Sequence, residues 1–250
     1  MILQSSLLAA HARHGFATRL GGVSRGAYTS MNLVGKWGDD PAAVAENRRL
    51  FAAAGGFSLE RLFVAKQVHG VAVIEVGAAQ TPAEVASVEA DALVTNVAGA
   101  VLAISTADCV PLLFANAAGT IVGAAHAGWR GTVQGVVAKT VAALDDLGAA
   151  PRELRVALGP SICVGCFEVG EEVAREFAEA GAGVVRRDLG AKPHVDLQLA
   201  HRLALDHVGV SADRVDGAPP CTMCEPDRFY SFRRDKGTTG GHLSFVRVGV

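Results

Sequence analysis

The chain has 250 residues, a formal charge of −2 at pH 7, 50% hydrophobic residues and only 6% aromatic residues. That balance supplies a core of Ala, Val and Leu, excludes a disordered chain, and provides no basic field for nucleic acid or anionic lipid. Five cysteines are too few for a disulfide scaffold and indicate a reducing compartment with thiols free for chemistry or metal.

The N-terminus has a short apolar patch but no basic region ahead of it, and His11, Arg13 and His14 follow, so a cleaved signal is not expected. Residues 15–38 are Gly-rich without helical period and read as loops with short strands. A helix follows, capped by Asp39 or Asp40, with Pro41 at its first position and Gly55 as its stop. LFVAKQVHGVAVIEV reads as two strands parted near His69–Gly70, and residues 77–90 as a polar, Ala-rich connection. DALVTN, VLAIST, VPLLFAN and TIVGAAH read as buried strands. Cys109 to Trp129 carries no Asp, Glu, Lys or Arg, yet Pro111 and the Asn116–Gly119 turn would break a membrane helix, so two strands around a turn are expected. Gly131–Leu147 has helical spacing, LRVALG is a further strand, and Gly170–Ala180 and Asp196–Val208 are helical, with Asp196 as a cap. RFYSF and HLSFVRV complete the strands. Strands outnumber helices and some neighbours are close enough for antiparallel pairing, so the expected fold is a mixed α/β single domain spanning 1–250, soluble and, lacking targeting signals, cytoplasmic.

Three segments place a metal-ligating type at the end of an apolar strand: KQVHG, ADCVP and HAGWRG. Cys109 as thiolate with His69 and His126 as neutral imidazoles would leave a fourth tetrahedral position open, the mark of a catalytic zinc site. The spacing matches no short zinc motif, and on pattern alone a core cysteine with satisfied histidines competes with it. A cysteine nucleophile with His126 as base is a third reading of the same sulfur, with Asp108 adjacent. Cys163/Cys166 and Cys221/Cys224 are two C-x-x-C pairs, but the 54 residues between them far exceed the about 15–20 of zinc ribbons, which counts against a joint site. GGVSRG could cradle an anion or be a surface turn, and Arg130 at a helix start could attract phosphate or be a solvated arginine. FYSFRR offers an aromatic wall with arginines for a planar ring, or a core strand with a basic edge.

With these segments in hand, the chain resembles the YfiH-like family, also called laccase-domain, polyphenol-oxidase-like or peptidoglycan-editing-factor proteins. The matching blocks include GGVSRGAYTSMNL, GDDPAAVAENRRL, KQVHG, DALVT, STADCVPLL, AAHAGWRGTVQGV, ALGPSIC, FEVGEEV, DLQLA and FYSFRRDKGTTG, covering roughly residues 15–247. The resemblance implies a compact α/β domain with mixed sheets, akin to a group described as cysteine hydrolases. It implies one Zn2+ on His69, Cys109 and His126, with Cu2+ able to occupy the site in vitro. It implies phosphorolysis of adenosine, inosine, guanosine and methylthioadenosine, adenosine deamination, and a link to peptidoglycan editing. Cys109, His126 and Asp108 are then the candidate catalytic residues, and Asn32, Arg48 and Arg130 the candidate contacts to nucleoside or phosphate. Expected partners are small molecules, with neither nucleic acid nor membrane. The alternatives are a cysteine-dependent hydrolase or amidase acting on peptidoglycan precursors, a laccase-like polyphenol oxidase, and a non-catalytic structural zinc protein. Eight histidines without H-x-H pairs speak against several coppers. One departure stands out: Gly241 occupies a position where the family usually carries Arg.

Overall fold

A strand whose every residue is apolar is stable only where both of its faces are covered. VLAIST, VPLLFA and VGAAHA fold in that setting, with all but one of their residues buried. The computed structural model describes residues 2–249. In chain order they form β1 (Ile2–Leu3), α1 (Ser6–Ala9), β2 (Arg13–Ala17), α2 (Pro41–Gly55), β3 (Leu62–Phe63), β4 (Val73–Glu75) and α3 (Pro82–Ala86). Next come β5 (Ala92–Thr95), β6 (Val101–Thr106), β7 (Val110–Ala115), β8 (Val122–Ala127), α4 (Trp129–Val133) and α5 (Val136–Asp146). The chain continues through β9 (Arg155–Leu158), α6 (Glu171–Glu176), β10 (Val185–Arg186), β11 (His194–Val195), α7 (Leu197–His207) and β12 (His242–Arg247).

Two five-stranded sheets carry the fold, ordered β1-β2-β12-β6-β3 and β4-β5-β8-β7-β9. Both are mixed: β3 lies parallel to β6 and β4 parallel to β5, while the other pairings within the two sheets are antiparallel. Side-chain alternation builds the layers. Leu102 and Ile104 of β6 meet Leu93, Leu113 and Ala124 of the second sheet in one apolar cluster. Val101 and Ala103 point the other way, onto Phe51 of α2. Leu112 and Phe114 of β7 likewise face Val137, Val141 and Leu144 of α5 and Leu205 of α7. The result is a helix–sheet–sheet–helix stack, and it accounts for strands that are apolar on both faces.

Several expected elements take a different form. Helix α2 is capped by Asp40, whose carboxylate accepts from the Ala42 N–H at 2.9 Å, and the residue that stops it is Gly56 rather than Gly55, which is its last helical residue. Gly56 adopts φ 67°, where a β-carbon is costly, whereas Gly55 remains helical. The expected helix over 131–147 is two helices, α4 and α5, parted by Gly135 at φ 85°. The connection 77–90 contains α3, closed by a Thr81/Glu84 capping box. RFYSF is not a strand. The Tyr230 N–H donates to His242 Nε2 and the Phe229 carbonyl accepts from the Arg234 guanidinium, so side chains take the groups a ladder would use. The uncharged run after Cys109 is the β7–β8 hairpin, turned where Asn116 Oδ1 accepts from Thr120 and Ile121. Among the described residues, no helix is long and apolar enough to cross a membrane.

Leu113 is fully buried between the two sheets. Leu113→Ala is expected to destabilise the protein by about 3 kcal/mol in urea unfolding, from lost transfer energy plus the cavity left behind.

Candidate metal centre and its cavity

Three separate segments deliver the candidate ligands to one place. His69 lies in the segment that leaves β3 of the first sheet for β4 of the second. Cys109 lies between β6 and β7, where the chain again passes from the first sheet to the second. His126 sits on β8, opposite Pro111 of β7. One ligand atom from each lies within 4.8 Å of the other two, and Cys109 Sγ is 4.0 Å from His69 Nε2. The two imidazoles meet edge to face at 4.7 Å. A β-carbon on Gly128 would stand 2.9 Å from His69 Cδ2 and 3.0 Å from Cys109 Sγ, so glycine there keeps the cluster open. One sulfur and two imidazole nitrogens suit zinc, and also copper.

The cluster is held by a residue the sequence reading did not single out. Asp91 is fully buried, and its carboxylate accepts from the backbone N–H groups of Val68 (3.1 Å), His69 (3.0 Å) and Gly70 (2.7 Å). It also accepts from His126 Nδ1 at 2.7 Å, which fixes that nitrogen as donor and leaves Nε2 for the cluster. Burial works against the Asp91 carboxylate, yet the hydrogen bonds from His126, Gly70 and Val68 hold its pKa below the ordinary value. The signal was an acid at the head of the buried strand DALVT, a place where a carboxylate needs donors.

Cys109 and His126 titrate against each other. Burial opposes ionisation of Cys109, but the His126 charge and hydrogen bonds from both imidazoles outweigh it and bring the thiol down to about 6. Burial likewise disfavours the His126 imidazolium, but the Cys109 thiolate and Asp91 bring it up to about 9. Without metal the pair is a thiolate beside an imidazolium.

A cavity of about 360 Å³ opens above the three ligands, inside the usual range of about 300–1,000 Å³ for small-ligand sites. Trp37, Phe167 and Phe232 wall it, and Lys36 and Arg233 bring positive charge. Trp37 and Phe232 lie 6.1 Å apart, and Arg233 stands 5.2 Å from the Phe167 ring. Of these, Lys36 and Trp37 were hidden in a stretch read as loops with short strands. Asp108 lines the cavity too, but Thr222 Oγ1 donates to one of its oxygens at 2.6 Å and the Arg233 N–H to the other at 2.7 Å.

The other expected substrate contacts lie outside this lining. Asn32 is buried, donating to Asp39 and accepting from the Val34 and Gly241 N–H groups. Arg48 donates to the Leu33 carbonyl, and Arg130 is exposed and stacks on Trp129 at 4.5 Å. Half of the GGVSRG backbone donors are engaged inside the protein: the N–H groups of Gly22, Val23 and Ser24 donate to Ser30, Asn47 and Ser30. A β-carbon on Gly241 would come within 2.9 Å of Trp37 and 2.8 Å of Val34, so Trp37 and Val34 fill the space beside it.

The long gap between the two C-x-x-C pairs proved a poor guide. Cys163, Cys166, Cys221 and Cys224 place their sulfurs within 4.8 Å of one another. A parallel bridge between Ser161 and Cys221 brings the two distant turns together, a contact that sequence separation does not reveal.

Residues 13–249 match the family model described as multi-copper polyphenol oxidoreductase laccase. The chain is 46% identical over 227 residues to a Deinococcus radiodurans protein named purine nucleoside phosphorylase, covering 91% of this chain and 85% of that one. It is 38% identical over 229 residues to adenosine deaminase RL5 from an unknown prokaryotic organism, covering 88% and 87%. The crystal structure of YlmD from Geobacillus stearothermophilus superposes with a TM-score of 0.89 at 33% identity, covering 98% and 94% of the two chains.

Asp91→Asn removes the charge that orients His126, and metal affinity is expected to fall about 10–100-fold in a competition titration against a chromophoric chelator. Coordination requires Cys109 as thiolate and His126 neutral. Between pH of about 6 and about 9, metal binding therefore displaces the His126 proton, and below about 6 it displaces a second from Cys109. Affinity should fall as pH drops. Calorimetric titration in buffers of different ionisation enthalpy would read these protons directly.

Proposed function

The chain belongs to the multi-copper polyphenol oxidoreductase laccase family, and from that premise we propose that it is a zinc-dependent enzyme of purine nucleosides. The reaction proposed is phosphorolysis of adenosine, inosine, guanosine and methylthioadenosine, with adenosine deamination as a second activity. The observation that carries this reading is the composition of one cavity: His69, Cys109 and His126 on its floor, three aromatic rings and two cations on its walls. The names of the Deinococcus phosphorylase and of adenosine deaminase RL5 support it.

When bound, zinc would supply Lewis acidity and lower the pKa of water toward about 7. The remaining work falls to the chain. Trp37 and Phe232 would stack a purine. Arg233 and Lys36 would hold phosphate against the ribose, which turns a three-body encounter into one bound geometry. Asp91 would orient His126, and Asp108, with both oxygens engaged, would position the Cys109 loop and the Arg233 backbone rather than carry a proton.

Polyphenol oxidation by several coppers fits the residues less well. Among the described residues, histidines join only one candidate metal group. His14 and His242 are buried elsewhere, their Nε2 atoms accepting from the Ser5 and Tyr230 N–H groups. A cysteine-dependent hydrolase, such as one editing peptidoglycan precursors, retains one favourable observation, the thiolate–imidazolium pair of the metal-free cluster.

Cys109→Ala is expected to lose one equivalent of zinc and at least about 100-fold in adenosine-plus-phosphate turnover, a loss of the size expected when a main catalytic group is removed. Ribose-1-phosphate as product would mark phosphorolysis, and inosine would mark deamination. A fully active Cys109→Ala protein would sink the proposal. Turnover that survives chelation but not thiol alkylation would replace it with the hydrolase reading.

A further inference from the structure

The cavity makes no direct use of the other four cysteines, and their arrangement has its own chemistry. Four sulfurs around one zinc at about 2.3 Å stand about 3.8 Å apart at tetrahedral angles. Cys166 Sγ and Cys224 Sγ are 3.4 Å apart, and no sulfur of the four is more than 4.8 Å from another. The 3.4 Å separation is far longer than a disulfide at about 2.05 Å, and all five cysteines of the chain are free. Both C-x-x-C segments are tight turns. The Cys163 carbonyl accepts from the Cys166 and Phe167 N–H groups, each at 3.0 Å, and the Cys221 carbonyl accepts from Glu225 at 3.2 Å. The Cys163 N–H donates to Cys221 Sγ at 3.3 Å, the kind of backbone donor that stabilises a charged thiolate. Cys224 is exposed and the other three are half-buried, so an ion can reach them from solvent.

From this geometry we propose that Cys163, Cys166, Cys221 and Cys224 bind a second Zn2+ in a closed tetrathiolate site. Its role is structural, since four protein ligands leave no position for substrate. Each thiol gives up its proton on binding, and no redox partner is needed. The site clamps two chain segments that otherwise meet at the parallel Ser161–Cys221 bridge, made by Thr222 N–H to Ser161 O at 3.0 Å and Ser161 N–H to Pro220 O at 3.3 Å. Both clamped segments bond to Asp108, which lines the cavity. Thr222, inside the second turn, donates Oγ1–H to the Asp108 carboxylate at 2.6 Å. Ile162, next to Cys163, donates its N–H to the Asp108 carbonyl at 2.9 Å and lines the cavity. The second ion thus stands behind the wall that presents Cys109.

The test uses the full chain and zinc or Co2+ as the probe. Wild type, Cys109→Ala and the double variant Cys166→Ser/Cys224→Ser are stripped with chelator under reducing conditions, reloaded and desalted. Metal is then counted by mass spectrometry. The expected counts are two equivalents in wild type and one in each variant. Cobalt-loaded Cys109→Ala should show the intense thiolate charge-transfer absorption and tetrahedral d–d bands of a four-sulfur site. Chelation of Cys109→Ala should lower its melting temperature. The proposal is overturned if folded Cys109→Ala holds no metal and its four remaining thiols titrate freely, or if they isolate as disulfides that bind nothing after reduction. Cys109→Ala decides the matter even where the double variant fails to fold. The catalytic reading fails separately, by unchanged metal content and turnover in Cys109→Ala.

Discussion

The Asp91 carboxylate is the interaction on which the site depends. One buried anion accepts three consecutive backbone N–H groups, at Val68, His69 and Gly70, and the ring nitrogen of His126. It therefore ties the loop that carries one ligand to the strand that carries another, and it sets the tautomer of the second. A neutral side chain of the same shape could not serve all four donors. The main chain of Asp91 adds to the link, its N–H donating to the Ala72 carbonyl and its carbonyl accepting from the His126 N–H at 2.7 Å.

Backbone conformation is spent at the same place. His69 adopts φ 63° and Asp108 φ 97°, left-handed values that side chains with a β-carbon rarely take. Such residues cost on the order of 1–3 kcal/mol and persist only where their surroundings over-determine them. Here the surroundings are identifiable. Asp91 grips the His69 loop from below, and Thr222 and the Arg233 N–H grip the Asp108 side chain from above. The two turns bring His69 and Cys109 together beside His126.

The sequence made most strands of the two sheets legible, though not β1 or β2, together with the long helix α2 and the Asp196 cap, because apolar runs and caps are local signals. The three candidate ligands were legible as residue types at strand ends, although their spacing was not diagnostic and the family resemblance carried more weight. The remainder depended on contacts between segments far apart in the chain. Gly135 divides a helix that periodicity runs together. RFYSF satisfies its backbone through Arg234 and His242 rather than a neighbouring strand. Asn32 and Arg48 proved to be internal ties, while Lys36 and Trp37 reached the cavity from a stretch that carries no motif; Phe232 and Arg233 came from FYSFRR, the segment read as an aromatic wall with arginines. The cysteine pairs were misjudged because separation along the chain was taken as a measure of distance across the fold.

Two of the three candidate ligands lie on passages between sheets, His69 between β3 and β4 and Cys109 between β6 and β7. Neither sheet alone contains the donor set. His69, Cys109 and His126 are therefore apart in the unfolded chain and meet only when the two sheets dock. Loop-closure entropy places such long-range docking late in folding. The assembled three-ligand centre is thus a product of sheet docking rather than of any local segment. A chain whose sheets fail to dock would lack the three-ligand centre.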